Sequence, residues 1–141
     1  MRFEGRLTRE GRFWLAEIAI LDAMTQGRTK AEALEMIADW LETMTDRKGF
    51  RAQVFPTGKN TFEVSGSNAA AMTALLLRRR REASGASLRE VASRLGAQSR
   101  NAYARYERGE AVPTLEKLDA LLKATSPDGD FVIRGSSANS R

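Results

Sequence analysis

Arg100, Asn101 and Arg105 lie close together in the chain, and each carries groups that match the edge of a base pair. Arginine donates twice to guanine O6 and N7, and asparagine bonds adenine N6 and N7 as a bidentate pair. Gln98, Ser99 and Ser87 are of types that contact phosphate oxygens. The rest of the chemical repertoire is narrow. Histidine and cysteine are both absent. That excludes a Ser-His-Asp triad, a histidine proton shuttle, thiol catalysis, disulfides and nearly every structural zinc site. Carboxylates remain, and a two-metal nuclease would need them clustered. The candidates are Glu4, Glu17, Asp22 and Asp39, but two fall on expected strands, one in a loop and one in mid-helix. With no paired spacing among them, exposed acids are the simpler reading. The expectation is a binding protein with no catalytic residue, no metal and no cofactor.

The base-matching residues need a helix to present them, and the second half of the chain supplies the pattern. Ser67 or Asn68 can cap a helix through Ala69–Ala71 and Leu75–Leu77 into Arg78–Arg81, ended by Ser84-Gly85. Four successive helical arginines point in all directions, so Arg78 to Arg81 do not form one clamp. Ser87 with Glu90 makes a capping box, followed by Leu88, Val91, Ala92 and Leu95 at helical spacing. Gly96 then suits a left-handed turn. A helix over Gln98 to Glu107 follows, with Tyr103 and Tyr106 on its buried edge. Pro113-Thr114 opens a last helix with Leu115, Leu118, Leu121 and Leu122 facing inward. Two short helices joined by a tight glycine turn form the unit that places its second helix in the DNA major groove. A basic helical bundle of purely structural role is the plainer alternative.

The first half reads differently. Arg2 to Thr8 and Phe13 to Ile18 form a hairpin around Arg9-Glu10-Gly11; Phe50 to Phe55 and Thr61 to Val64 form another around Pro56–Asn60. Between them Thr29 and Glu32 make a capping box, and Leu34, Ile37, Leu41 and Met44, widened by Trp40, form an apolar stripe ended near Gly49. The fold class is therefore α+β: a small ββ-α-ββ domain over 1–66 and an all-α helix-turn-helix domain over 67–126. The tail over 127–141 holds Asp130–Ile133, a last short strand or edge addition, and then Gly135–Arg141, a disordered end.

The charge divides along the same line. Of 141 residues, 1–66 carry ten Lys+Arg and ten Asp+Glu, whereas 67–141 carry thirteen against eight and so hold the whole net +5. A basic half is the electrostatic footprint of a polyanion partner, most often nucleic acid. No apolar run reaches membrane length and no signal-peptide pattern opens the chain, which points to the cytoplasm.

The stretch Ile20 to Thr29, leading into Ala31-Glu32-Ala33, resembles the N-terminal domain of HicB antitoxins, with its T-x-G-x-T-x-x-E-A approach to a helix. Ser87 to Leu122 is similar to Xre/Cro-type helix-turn-helix domains, with Ala92, Gly96, Glu107-Arg108-Gly109 and Pro113 in place. The resemblance implies a partial RNase H-like first domain that neutralises a HicA-type mRNA-cleaving toxin, and a second domain that represses the operon. It implies base reading by Arg100, Asn101 and Arg105 and phosphate contacts by Gln98, Ser99 and Arg108. It also implies a homodimer or tetramer on double-stranded operator DNA. Two features depart from the pattern: Gly96 to Gly109 is one residue longer than usual, and Glu17–Ile20 replaces a proline-rich loop. A stand-alone Xre-type regulator with a ligand-sensing or dimerising first domain is the rival reading.

Overall fold

Alternating side chains build the N-terminal sheet. In β1 (Arg2–Glu10) Phe3, Gly5 and Leu7 are buried while Glu4, Arg6 and Thr8 are exposed. β2 (Phe13–Ile18) pairs with β1 in a hairpin, Glu10 opposite Phe13. A short 3-10 turn (Ala19–Leu21) ends at Asp22 in the left-handed region and leads into β3 (Ala23–Gly27). Then come α1 (Lys30–Thr45), β4 (Ala52–Pro56) and β5 (Thr61–Gly66). The strands form one antiparallel sheet in the order β3-β2-β1-β5-β4, with α1 against β3, β2 and β4. This computed structural model describes residues 1–136.

The sheet thus has five strands where the sequence suggested four. β3 escapes the pattern because its inward positions are Ala23, Thr25 and Gly27, none a large apolar residue. Small residues are needed there because α1 passes close by. A Cβ on Gly27 would lie 2.4 Å from the Ala33 amide nitrogen. The Thr25 hydroxyl donates to the Ala33 carbonyl at 3.0 Å, tying strand to helix.

The cap of α1 is a shifted form of the expected box. Thr29 Oγ1 accepts the Glu32 amide at 3.1 Å, but the Glu32 carboxylate accepts from the Arg28 amide at 3.0 Å, one residue upstream of the cap. The helix stops at Asp46, which adopts φ +46, three residues before the expected Gly49. Its buried line is Ala33, Ile37 and Leu41; Leu34, Trp40 and Met44 are half-buried flanks.

The second half is helical: α2 (Ala69–Ser84), α3 (Leu88–Arg94), α4 (Asn101–Glu107) and α5 (Leu115–Thr125). Leu77, Ala86, Val91, Ala92, Tyr103, Tyr106, Leu121 and Ala124 share one core. Ser67 does not cap α2 with its hydroxyl, which accepts the Arg51 amide. In α5, Thr114 Oγ1 caps the Lys117 amide, and Leu121 is fully buried. Leu115 does not face inward; it is 77% exposed, as the first residue of the helix projects past the core. Asp130–Ile133 forms no strand, and Val132 and Ile133 are exposed. Most of the end expected to be disordered, 137–141, lies outside the described residues.

The chain divides into two compact units. The first is Met1–Ala69 together with the described chain from Arg134 onward; the second is Ala70–Ile133. The division falls three residues after the expected 66/67 boundary, inside the start of α2.

Candidate nucleic-acid interface

The turn between α3 and α4 is set by backbone hydrogen bonds. Gly96, at φ +73, lets its own amide bond the Ser93 carbonyl and the Ala97 amide bond the Ala92 carbonyl, both at 2.9 Å. This double closure satisfies the last carbonyls of α3 and needs a left-handed residue at Gly96. At its other end, α3 carries the full capping box: Ser87 Oγ accepts the Glu90 amide at 3.1 Å and the Glu90 carboxylate accepts the Ser87 amide at 2.7 Å. The helix after the turn starts at Asn101, not Gln98. Gln98 to Arg100 form bends and a turn ahead of it. The Ser99 hydroxyl steadies the start by accepting the Asn101 amide at 3.2 Å.

Two tyrosines and an ion pair anchor α4 from behind. Tyr103 is fully buried and donates to the Leu77 carbonyl at 3.4 Å. Burial, then the neighbouring Glu107 carboxylate, pushes its pKa up, so it stays a neutral donor. Arg81 forks onto Glu107 through Nε and Nη2 at 2.6 and 3.0 Å and donates to the Ala86 carbonyl at 3.1 Å. Their side chains are 15% and 7% exposed. The hydrogen bond to Glu107 holds the Arg81 pKa above its ordinary value. Two of the nine arginines between Leu75 and Gly109 are tied across the domain in other ways: Arg80 donates to Ser126 Oγ and Arg94 to the Ala124 carbonyl. Arg79 pairs with Glu82.

Arg78 is engaged within the fold and Arg108 pairs with Glu110, which leaves three guanidiniums. Among the described residues, those of Arg89, Arg100 and Arg105 make no hydrogen bond or ion pair with the chain. All three are exposed on α3, on the turn and on α4. Arg105 stacks at 5.2 Å from the centroid of Tyr106, which orients it without neutralising it. Four residues apart on one helix, Asn101 and Arg105 share a face, and Ala102 between them is exposed with a bare methyl. Arg100 is the cap residue directly before Asn101. It lines a concavity of about 570 Å³ with Arg89 and Ser93 of α3 and with Gln98, Ser99 and Asn101. Asn101 thus shares a helix face with Arg105 and the concavity with Arg100, while Arg105 lies outside that concavity.

Two expected phosphate contacts are engaged elsewhere. Arg108 forks onto Glu110 at 2.7 and 3.1 Å, so a phosphate would have to displace a carboxylate. That contact raises the Arg108 pKa and lowers that of Glu110. Ser87 spends its oxygen on the α3 cap, with the Glu90 carboxylate beside it. Arg89, Ser93 and Ala102 were missed by sequence reasoning. Arg89 was visible as a basic residue two past the Ser87 cap, but only the folded turn sets it beside Arg100.

The acidic candidates do not converge. Glu4 and Glu17 lie on β1 and β2, Asp22 ends the 3-10 turn and Asp39 is exposed on α1. Among the described residues no group of three His, Cys, Asp or Glu could hold a metal ion. No helix among them is long and apolar enough to cross a membrane.

Residues 74–130 match the family model of a helix-turn-helix domain. The chain carries a helix-turn-helix DNA-binding domain, with α3 and α4 as its paired short helices. No curated protein matches the sequence.

Proposed function

We propose that this chain is the antitoxin and autorepressor of a type II toxin–antitoxin pair, acting on operator DNA in the cytoplasm. The observation that carries the DNA half is the set of uncommitted guanidiniums on Arg89, Arg100 and Arg105 around the exposed Asn101–Arg105 face. In this reading Asn101 and Arg105 meet base edges, with the Ala102 methyl suited to thymine. Arg89, Gln98, Ser99 and Arg100 follow the phosphates beside them. A homodimer or tetramer presents its recognition helices about one DNA turn (~34 Å) apart on an inverted repeat.

The partner half of the proposal rests on the likeness of Ile20–Thr29 to HicB antitoxins. The folded segment supports it in one respect: Gly27 is required by the close pass of α1, so the T-x-G-x-T spacing has a structural reason here. The first domain, partial RNase H-like on this reading, occludes the active site of a basic HicA-type ribonuclease, and no catalytic group of its own is needed.

The test is direct. The full chain is mixed with its own promoter fragment at low ionic strength, and separately used to capture the product of the adjacent reading frame. Retardation of the promoter and capture of a small ribonuclease support the proposal. Retardation without capture favours a stand-alone regulator, and failure of both removes the reading.

A further inference from the structure

Glu4 and Glu63 sit directly opposite each other on β1 and β5, on the sheet face away from Phe3, Phe62 and Val64. Like charges at paired positions repel, so this pair needs cations. One comes from within the sheet. Arg2 Nη1 donates to Glu63 Oε2 at 3.0 Å while its guanidinium stacks 3.6 Å from the Phe55 ring centroid. The other comes from the far end of the chain. Arg134 Nη2 pairs with Glu4 Oε1 at 2.9 Å, and the Ser136 hydroxyl donates to Glu63 Oε2. A groove of about 340 Å³ runs between them, lined by Glu4, Thr57, Thr61, Glu63, Arg134 and Gly135.

We propose that Arg134–Ser136 is a reversible ionic latch that fastens the chain leaving the helix-turn-helix unit onto the open face of the N-terminal sheet. These residues follow Ala70–Ile133 in sequence yet belong with the first unit. The approach to the latch is loose: Val132 and Ile133 are 91% and 94% exposed, so the polar contacts themselves hold it. They are graded. The Glu63 side chain is 9% exposed and gives a fixed seat, whereas Arg134 and Glu4 are 64% and 50% exposed. An ion pair that open is weak and screened by salt, which makes the latch easy to release.

Trypsin reads the state of Arg134, because cleavage after an arginine requires the guanidinium to leave its partner for the protease pocket. The full chain is digested briefly, cleavage at Arg134-Gly135 is followed by mass spectrometry, and rates are normalised to a short peptide of the same local sequence. Glu4→Gln and Ser136→Ala are each expected to raise the normalised rate at least about threefold, since cleavage tracks the open population. Raised salt should accelerate the wild type more than Glu4→Gln. Thermal melts confirm folding, and if one variant unfolds the other decides. Equal rates in wild type and a folded variant, or salt acceleration undiminished by Glu4→Gln, would overturn the latch.

Discussion

At the scale of single residues, what separates the arginines of the second unit is whether a partner has claimed them. Arg81 is bound by a buried carboxylate, Arg94 by a helix-end carbonyl and Arg108 by Glu110; Arg89, Arg100 and Arg105 keep their charge for something outside. Different losses follow. Asn101→Ala and Arg105→Ala should each cost about 1–3 kcal/mol on the preferred sequence and relax discrimination at one base position. Arg89→Ala should weaken all sequences alike and flatten the salt dependence, which titrations on matched and scrambled DNA would separate. Arg81→Ala should leave Glu107 buried and unpaired and destabilise the fold by about 3 kcal/mol in urea unfolding. If it altered only DNA affinity, the structural role given to Arg81 would be wrong.

Glu63 adds a pH dependence at the same scale. The Ser136 hydroxyl, outweighing the opposing effect of burial, and Arg2 hold its pKa below the ordinary 4.5. A carboxyl with a lowered folded pKa stabilises fully above its unfolded value, and that contribution fades as the pH falls through the folded one. Stability of the wild type should therefore decline below about pH 4.5 more steeply than that of Glu63→Gln, measured by denaturant midpoints across the acid range.

At the scale of elements, two glycines constrain the chain for different reasons. Gly96 has open space around a would-be Cβ, so Gly96→Ala meets only the left-handed backbone penalty, about 1 kcal/mol. Gly27→Ala drives a methyl into the backbone of α1, and should cost about 2 kcal/mol or more because the helix must shift. Thermal melts of the two variants should rank in that order. The caps at Thr29 and Ser87 were legible because they depend on side chains three residues apart, although at Thr29 the carboxylate lands one residue upstream of the box position. β3 was not, since a strand whose inward positions are Ala, Thr and Gly carries no hydrophobic alternation.

At the scale of the whole molecule, the number of free cations sets how salt acts. If only Arg89, Arg100 and Arg105 release counterions, the logarithm of DNA affinity per bound chain should fall with log salt at a slope no steeper than about −3. Were all nine arginines of the segment engaged, the slope would approach about −8. A titration series between low and moderate salt distinguishes the two.

The sequence by itself determined the periodic features: the division into an α+β half and a helical half, the tyrosine-backed helix, the glycine turn and the concentration of positive charge after residue 66. These are local in the chain, written in spacings of two to four residues. Only the tertiary structure decided which charges are spent. Arg81 finds Glu107 twenty-six positions away, Arg94 finds a carbonyl thirty away, and Ser136 reaches Glu63 seventy-three away. Attraction between ions acts through space, and no one-dimensional pattern records which distant carboxylate a folded chain will bring within reach.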